Sequence, residues 1–254
     1  AEETQYLVIE DKFPNGRLPL DKAGVYFTDR ETVNKVEKMK VCTCLNPLHT
    51  ALALSGCLLG FNLICDEMKD KDLKKMVEIL GYKEGLPVVV DPKIIKPKTF
   101  IDEVIEKRLP NPFMPDTPQR IATDTSQKLS IRFGETVKAY LANPELDIKT
   151  LKILPMVFAL WLRYLLGIDD NGKEFELSPD PLLPDVKNEL SGILIGKNDE
   201  TKVEEKIKKL LKNEKIFGFD VVSSELYGKV KSYFMEMISA NGKVREVISH
   251  AVEN

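Results

Sequence analysis

The sequence holds two histidines, and one of them stands where chemistry is possible. His49 follows Asn46 by three residues, and Asn46-Pro47 reads as a helix start, so both side chains can face one side of a first helical turn. Lys40 lies six residues before Asn46. A lysine that is partly desolvated gives up its proton near neutral pH and can serve as a base. An amide beside it can donate to an oxygen on which negative charge develops. The same residues also have a purely structural reading, with Asn46 as a helix cap and His49 bonded to the helix N-terminus. Spacing alone leaves both open. A second cluster, PDTPQRIATDTSQK, sets Arg120, Asp124 and Lys128 at i, i+4 and i+8, on one helical stripe. That is either an ion-pair ladder or a cationic wall for hydroxyls or a carboxylate. His250 lies in a charged amphipathic stretch near the C-terminus and reads as a surface residue.

Cys42, Cys44, Cys57 and Cys65 fall within 24 residues. Their spacing lacks the paired knuckles of a zinc site, so no metal is expected and they read as buried free thiols of a reducing cytoplasm. Residues 41–65 carry no formal charge over 25 positions, long enough to span a membrane. Asn46, Pro47, His49 and Asn62 interrupt that stretch, which favours a buried helix at the centre of a helical domain. No secretory signal is expected. The 254 residues carry 37 Lys+Arg against 40 Asp+Glu, and 43% are hydrophobic. That composition excludes disorder for most of the chain and gives no basic excess for a nucleic-acid partner. None of the 14 glycines forms G-x-G-x-x-G or G-x-x-x-x-G-K-[ST], so no phosphate loop is expected within this chain.

These residues need elements to position them. Residues 6–10 and 25–27 read as short strands, and two isolated strands need a larger sheet to join. From residue 45 the pattern becomes helical. A first helix is expected from Asn46 to about Cys65, with Gly56 and Gly60 giving room for a close neighbour. A second should span Asp72–Leu80, stopped by Gly81. A third should span Thr99–Arg108, with Thr99 and Asp102 as a capping-box pair. Thr117-Pro118 should open a helix running to about Ala142, with a break near Gly134. A strongly apolar helix over 151–166 follows, then amphipathic helices over 184–194, 200–211, 223–240 and 244–252. The expected fold is mainly α and multi-helical, with residues 1–36 as the tail of another sheet and 37–254 as the helical domain.

KMKVCTCLNPLHTALA, from Lys38, resembles the start of the C-terminal domain of the mannitol dehydrogenase family, the long-chain polyol and uronate dehydrogenases. RLPNPFMPDTPQRIATDTSQKLSIR, from Arg108, resembles that family's second block, and YLVIEDKFPNGRLPLDKAGVYF resembles its passage out of the cofactor domain. ALWLRYLLGIDDNGKEF is a weaker third match. Within the family, the first block is most similar to the fructuronate reductase (mannonate oxidoreductase) group. The resemblance implies an oxidoreductase that interconverts a keto-uronate and an aldonate, D-fructuronate and D-mannonate, with NAD or NADP held mainly by a Rossmann domain outside this chain. It implies Lys40 as the catalytic acid or base, Asn46 as the amide on the reacting oxygen, His49 as a substrate-orienting group, and Arg120 and Lys128 as substrate-binding cations, with no metal. Mannitol or tagaturonate as substrate, or a non-catalytic helical binding module, are the alternatives. One departure stands out. Six residues separate Lys40 from Asn46, where five are expected in the polyol members, so either the chain bulges there or the lysine register is shifted.

Overall fold

The computed structural model describes residues 7–253, so the Tyr6 end of the first expected strand lies outside the described residues. β1 (Val8–Glu10) and β2 (Tyr26–Thr28) pair with each other in parallel, Ile9 opposite Phe27. Leu7, Phe13, Leu18, Leu20 and Tyr26 around this ribbon remain exposed. Parallel sheets ordinarily have both faces covered.

Helix begins earlier than the expected residue 45. The Asp29 side chain accepts the Thr32 N–H at 2.9 Å and caps α1 (Arg30–Met39), whose inward face buries Val36 and Met39. The charged outer face of RETVNKVEKM hides that periodicity from a reading guided by apolar runs. α1 continues through a wide turn, Lys40–Cys44, in which the Leu45 N–H donates to the Lys40 carbonyl, five residues back, at 3.1 Å. α2 (Asn46–Leu59) follows after one residue, Leu45. The column 30–59 is the one helix, among the described residues, long and apolar enough to cross a membrane, but 83% of its most apolar window is buried inside the fold.

α2 stops at Gly60, which takes φ +79°, and does not reach Cys65. Residues 64–67 form a separate turn, α3 (Ile64–Glu67). The two glycines therefore differ in role. A Cβ on Gly56 would collide with the Glu67 carboxyl and the Pro118 ring, so this glycine does admit a close neighbour, whereas Gly60 faces open space and only ends the helix. Glu67 is fully buried there, and neither carboxyl oxygen has a hydrogen-bond partner. Burial, with Asp70 adding to it, pushes its pKa well above the usual carboxylate range.

The remaining helices pack on this column or on one another. α4 (Lys71–Glu78) passes into a wide turn, Ile79–Gly85, so Gly81 does not terminate it. α5 (Pro97–Glu103) starts after Lys96 and runs into another wide turn, Val104–Arg108. The expected Thr99–Asp102 capping box is absent because Asp102 instead accepts from Tyr82 Oη and Lys98 Nζ, each at 2.7 Å. The single helix expected from Thr117-Pro118 to Ala142 is broken well before Gly134. Thr117 caps α6 (Pro118–Ala122), Asp124 adopts φ +54°, and a short turn at Thr125–Gln127 follows. A wide turn at Ser130–Gly134 then leads into α7 (Glu135–Ala142). The break is fixed from outside, since Asp124 N–H donates to the Pro179 carbonyl at 2.8 Å and Ser126 N–H to Asp180 at 2.8 Å.

α8 (Ile153–Tyr164) is buried throughout. The buried Glu84 carboxylate accepts three N–H groups at its start, from Lys152, Ile153 and Leu154 at 2.7–2.8 Å. Arg163, fully buried at its end, donates to the carbonyls of Ile168 and Asp169. α9 (Leu183–Leu190), α10 (Glu200–Leu211), α12 (Tyr227–Met237) and α13 (Lys243–Glu253) complete the fold close to where amphipathic periodicity places them, with a short turn that it does not place, α11 (Glu214–Phe217), between α10 and α12. Cys42, Cys44, Cys57 and Cys65 are free and buried, and burial pushes the Cys44 and Cys57 thiols up to about 12.

Candidate active site

A wide turn, Lys40–Cys44, lies between Lys40 and Asn46. A five-residue hydrogen-bonded step takes up one residue more than an α-helical one, so a sequence longer by one can keep the helices before and after it in line. Within this turn, the Cys42 carbonyl accepts from Thr136 Oγ1 at 3.3 Å. Lys40 is half-buried, its Nζ 5.7 Å from the centroid of the Phe100 ring on α5. Burial lowers its pKa from the ordinary lysine value.

Asn46 is not the cap. Leu45 occupies the cap position, and Asn46 is the first residue of α2, with Pro47 behind it. Its main-chain carbonyl accepts from Thr50 Oγ1 at 3.0 Å. Among the described residues no hydrogen bond occupies its half-buried side-chain amide, so the capping alternative falls away. His49 sits one turn on, with 7% of its surface exposed. Burial, then the charges of Arg132 and Arg120, hold its pKa down to about 4, so the ring is neutral at physiological pH. Its Nε2 lies 3.6 Å from Asp116 Oδ2.

Arg120, Asp124 and Lys128 do not share one stripe, because the helix ends between them. Arg120 Nη2 donates to Asp116 Oδ1, one turn before it on the loop leading into α6, and that contact ties Arg120 to His49 through a single carboxylate. Asp124 stands in the left-handed break. Lys128 folds back to donate to the Thr123 and Ile121 carbonyls at the end of α6, and burial together with Arg132 lowers its pKa. Arg132, from the wide turn after Lys128, donates to Thr50 Oγ1 at 2.5 Å, and burial brings its pKa down to about 10. His49 and Arg120 are thus joined through Asp116, while Thr50 links Arg132 to the main-chain carbonyl of Asn46.

Asp116 and Arg132 are the members of this group that sequence reading passed over. Each stands four residues from a residue already singled out, Arg120 and Lys128, and that interval was the available signal. Their contacts with α2 cross 67 and 82 positions of chain (116 minus 49, 132 minus 50), which no local pattern reveals. Chemically, the group offers a free amide, a neutral imidazole and several cations around one carboxylate. That set suits hydroxyls, a polarised carbonyl and a carboxylate.

Comparison with known proteins gives this geometry a family. Residues 32–238 match the mannitol dehydrogenase C-terminal domain. The chain is 54% identical over 253 residues to D-mannonate oxidoreductase of Thermotoga maritima, covering 99% of this chain and 46% of that protein. It is 31% identical over 191 residues to polyol:NADP oxidoreductase of Gluconobacter oxydans, covering 75% of this chain and 38% of that protein. Its fold is similar to that of mannitol 2-dehydrogenase of Pseudomonas fluorescens, solved with NAD and D-mannitol, at a TM-score of 0.80 and 25% identity, covering 97% of this chain and 46% of that one. The chain spans about half the length, or less, of these relatives. With a family match across most of its length and the helical architecture to go with it, the chain belongs to the mannitol dehydrogenase C-terminal domain family.

Proposed function

We propose that this chain is the substrate-binding part of an NAD(H)-dependent oxidoreductase that interconverts a keto-uronate and an aldonate, D-fructuronate and D-mannonate. The observation that carries the reading is the Asn46 amide, left uncommitted at the head of α2, with neutral His49 one turn beyond and half-buried Lys40 one wide turn before. The 54% identity to a D-mannonate oxidoreductase supports the choice of sugar acid over neutral polyol.

In this reading the nicotinamide, when bound, gives or takes the hydride at the carbon that carries the reacting oxygen. Lys40 gives a proton to that oxygen in reduction and takes it in oxidation, which its lowered pKa assists. Asn46 donates to the same oxygen as charge develops on it. His49, being neutral, has one ring nitrogen as donor and one as acceptor for a substrate hydroxyl. Arg120 keeps N–H donors beyond the one given to Asp116, and with Lys128 it receives the carboxylate.

The chain contains no glycine-rich phosphate loop, so NAD, or NADP, would be held mainly by a cofactor domain outside it. The exposed apolar side chains around the β1–β2 ribbon support a packing partner at that end. Residues 1–36 are then the connection and 37–254 the substrate-binding domain, with the helical column 30–59 crossing between them. The four free buried thiols support a reducing, cytoplasmic setting. The test is NADH oxidation by the dehydrogenase that contains this chain, with fructuronate, tagaturonate and fructose assayed side by side. Preference for fructuronate is expected. Preference for fructose would overturn the sugar-acid reading, and no turnover with any of them would overturn the enzymatic one.

A further inference from the structure

Asp116 occupies a place for which the proposed chemistry supplies no obvious use. A carboxylate beside a site for an anionic sugar repels the substrate, yet this one is built in firmly. It is 8% exposed, its N–H donates to the Met114 carbonyl at 2.8 Å, and its own carbonyl accepts from Ile64 at 3.0 Å. One of its side-chain oxygens accepts from Arg120 and the other faces His49 Nε2 at 3.6 Å. The Arg120 side chain is otherwise 61% exposed, on a long stem with many rotamers available. Without a fixed partner its guanidinium would be ordered only at the expense of substrate affinity.

We propose that Asp116 is a positioning residue of the substrate site: it fixes the Arg120 guanidinium with one oxygen and sets the tautomer of His49 with the other, so that the two recognition groups work as one unit. At 3.6 Å the oxygen lies just beyond hydrogen-bond reach of Nε2, so its effect is electrostatic: an anionic oxygen on that side favours the tautomer with the proton on Nε2 and Nδ1 as the acceptor. The consequence for catalysis rests on the function proposed above. The consequence for His49 does not.

The chain's two histidines make the second point directly measurable, since His250 is exposed and serves as the internal control. Two-bond 15N–1H correlation spectra of the chain should show His49 protonated at Nε2 and unchanged from about pH 5.5 to 8.5. In Asp116→Asn, whose amide accepts more weakly and can also donate, both tautomers should appear while the His250 signals stay in place. Identical His49 spectra in the two proteins would overturn the assignment. In the dehydrogenase that contains this chain, Asp116→Asn should raise KM for the keto-uronate about tenfold or more with a smaller change in kcat, and Asp116→Glu should recover part of the loss. In an Arg120→Ala background, Asp116→Asn should add clearly less than it costs alone, the remainder being its effect through His49. Fully additive losses would mean that Asp116 does not act through Arg120. Should Asp116→Asn not fold, Asp116→Ala carries the same two readouts, with a tautomer shift and a raised KM expected. If the wild-type enzyme turns over no sugar acid, the functional reading fails, while the spectra still decide the role of Asp116.

Discussion

The fully buried carboxyl of Glu67 should make the fold lose stability as pH rises through the neutral range. Neither of its oxygens has a partner, and burial holds the folded-state pKa well above the ordinary 4.5. The sign follows from which state binds the proton more tightly. Below about 4.5 both folded and unfolded chains carry it, and the contribution is fully present. Above that value the unfolded chain ionises while the folded one remains neutral, so unfolding releases a proton and is favoured by rising pH. For as long as the buried acid stays protonated, each pH unit costs about 1.4 kcal/mol. Against a total stability on the order of 10 kcal/mol, that is a large term for one side chain. Glu67→Gln keeps the shape and removes the ionisation. Its amide inherits the unpartnered pocket, at a constant cost of roughly 1–3 kcal/mol. Urea unfolding followed by far-UV circular dichroism at pH 5, 6, 7 and 8 should therefore give a stability difference, wild type minus variant, that falls as pH rises, by about 1.4 kcal/mol per unit for as long as the folded carboxyl stays protonated. Contributions from the other carboxylates cancel in the difference. Parallel curves, with a difference independent of pH, would refute the reasoning.

Lys40→Met in the full dehydrogenase should lower kcat by about a hundredfold or more, with KM little changed. In the wild type, alcohol oxidation should rise, and ketone reduction fall, as pH passes through a lysine pKa below 10.5; turnover of the methionine variant near wild type would remove Lys40 from the mechanism. Glu84→Ala strips three N–H groups at the start of α8 of their acceptor, and should cost about 2–4 kcal/mol in chemical denaturation. Gly134→Ala drives a methyl into the Phe217 carbonyl and should cost about 1–3 kcal/mol. Gly60→Ala, which meets open space but must hold φ +79°, should cost about 1 kcal/mol.

The helices that sequence places well are those whose burial pattern is local. α10 falls at Glu200–Leu211 because Val203, Ile207, Leu210 and Leu211 face inward at helical spacing. Thr117-Pro118 marks the start of α6 because a capping hydroxyl and a preset φ act within one turn. The four wide turns among the described residues leave no such mark, since a carbonyl accepting from five rather than four positions on selects no residue type. The break at Asp124 is imposed by Pro179 and Asp180, more than 50 residues away. The site divides along the same line. Lys40, Asn46 and His49 lie within ten residues of one helical column and could be read together. Asp116 and Arg132 reach that helix from segments whose approach is set by how α6 and the turn after it pack on α2.

The wide turn after Lys40 also bears on how relatives should be aligned. An α-helix advances about 100° and 1.5 Å per residue, so one inserted residue would swing everything upstream by that angle. A wide turn such as Lys40–Cys44 offers a way to absorb one residue locally. Angular phase about the helix axis, rather than residue count, is therefore the ruler for comparing lysines across the family. A gap between Lys40 and Asn46 in a pairwise alignment marks a change of pitch, and it need not mark a lysine that points elsewhere.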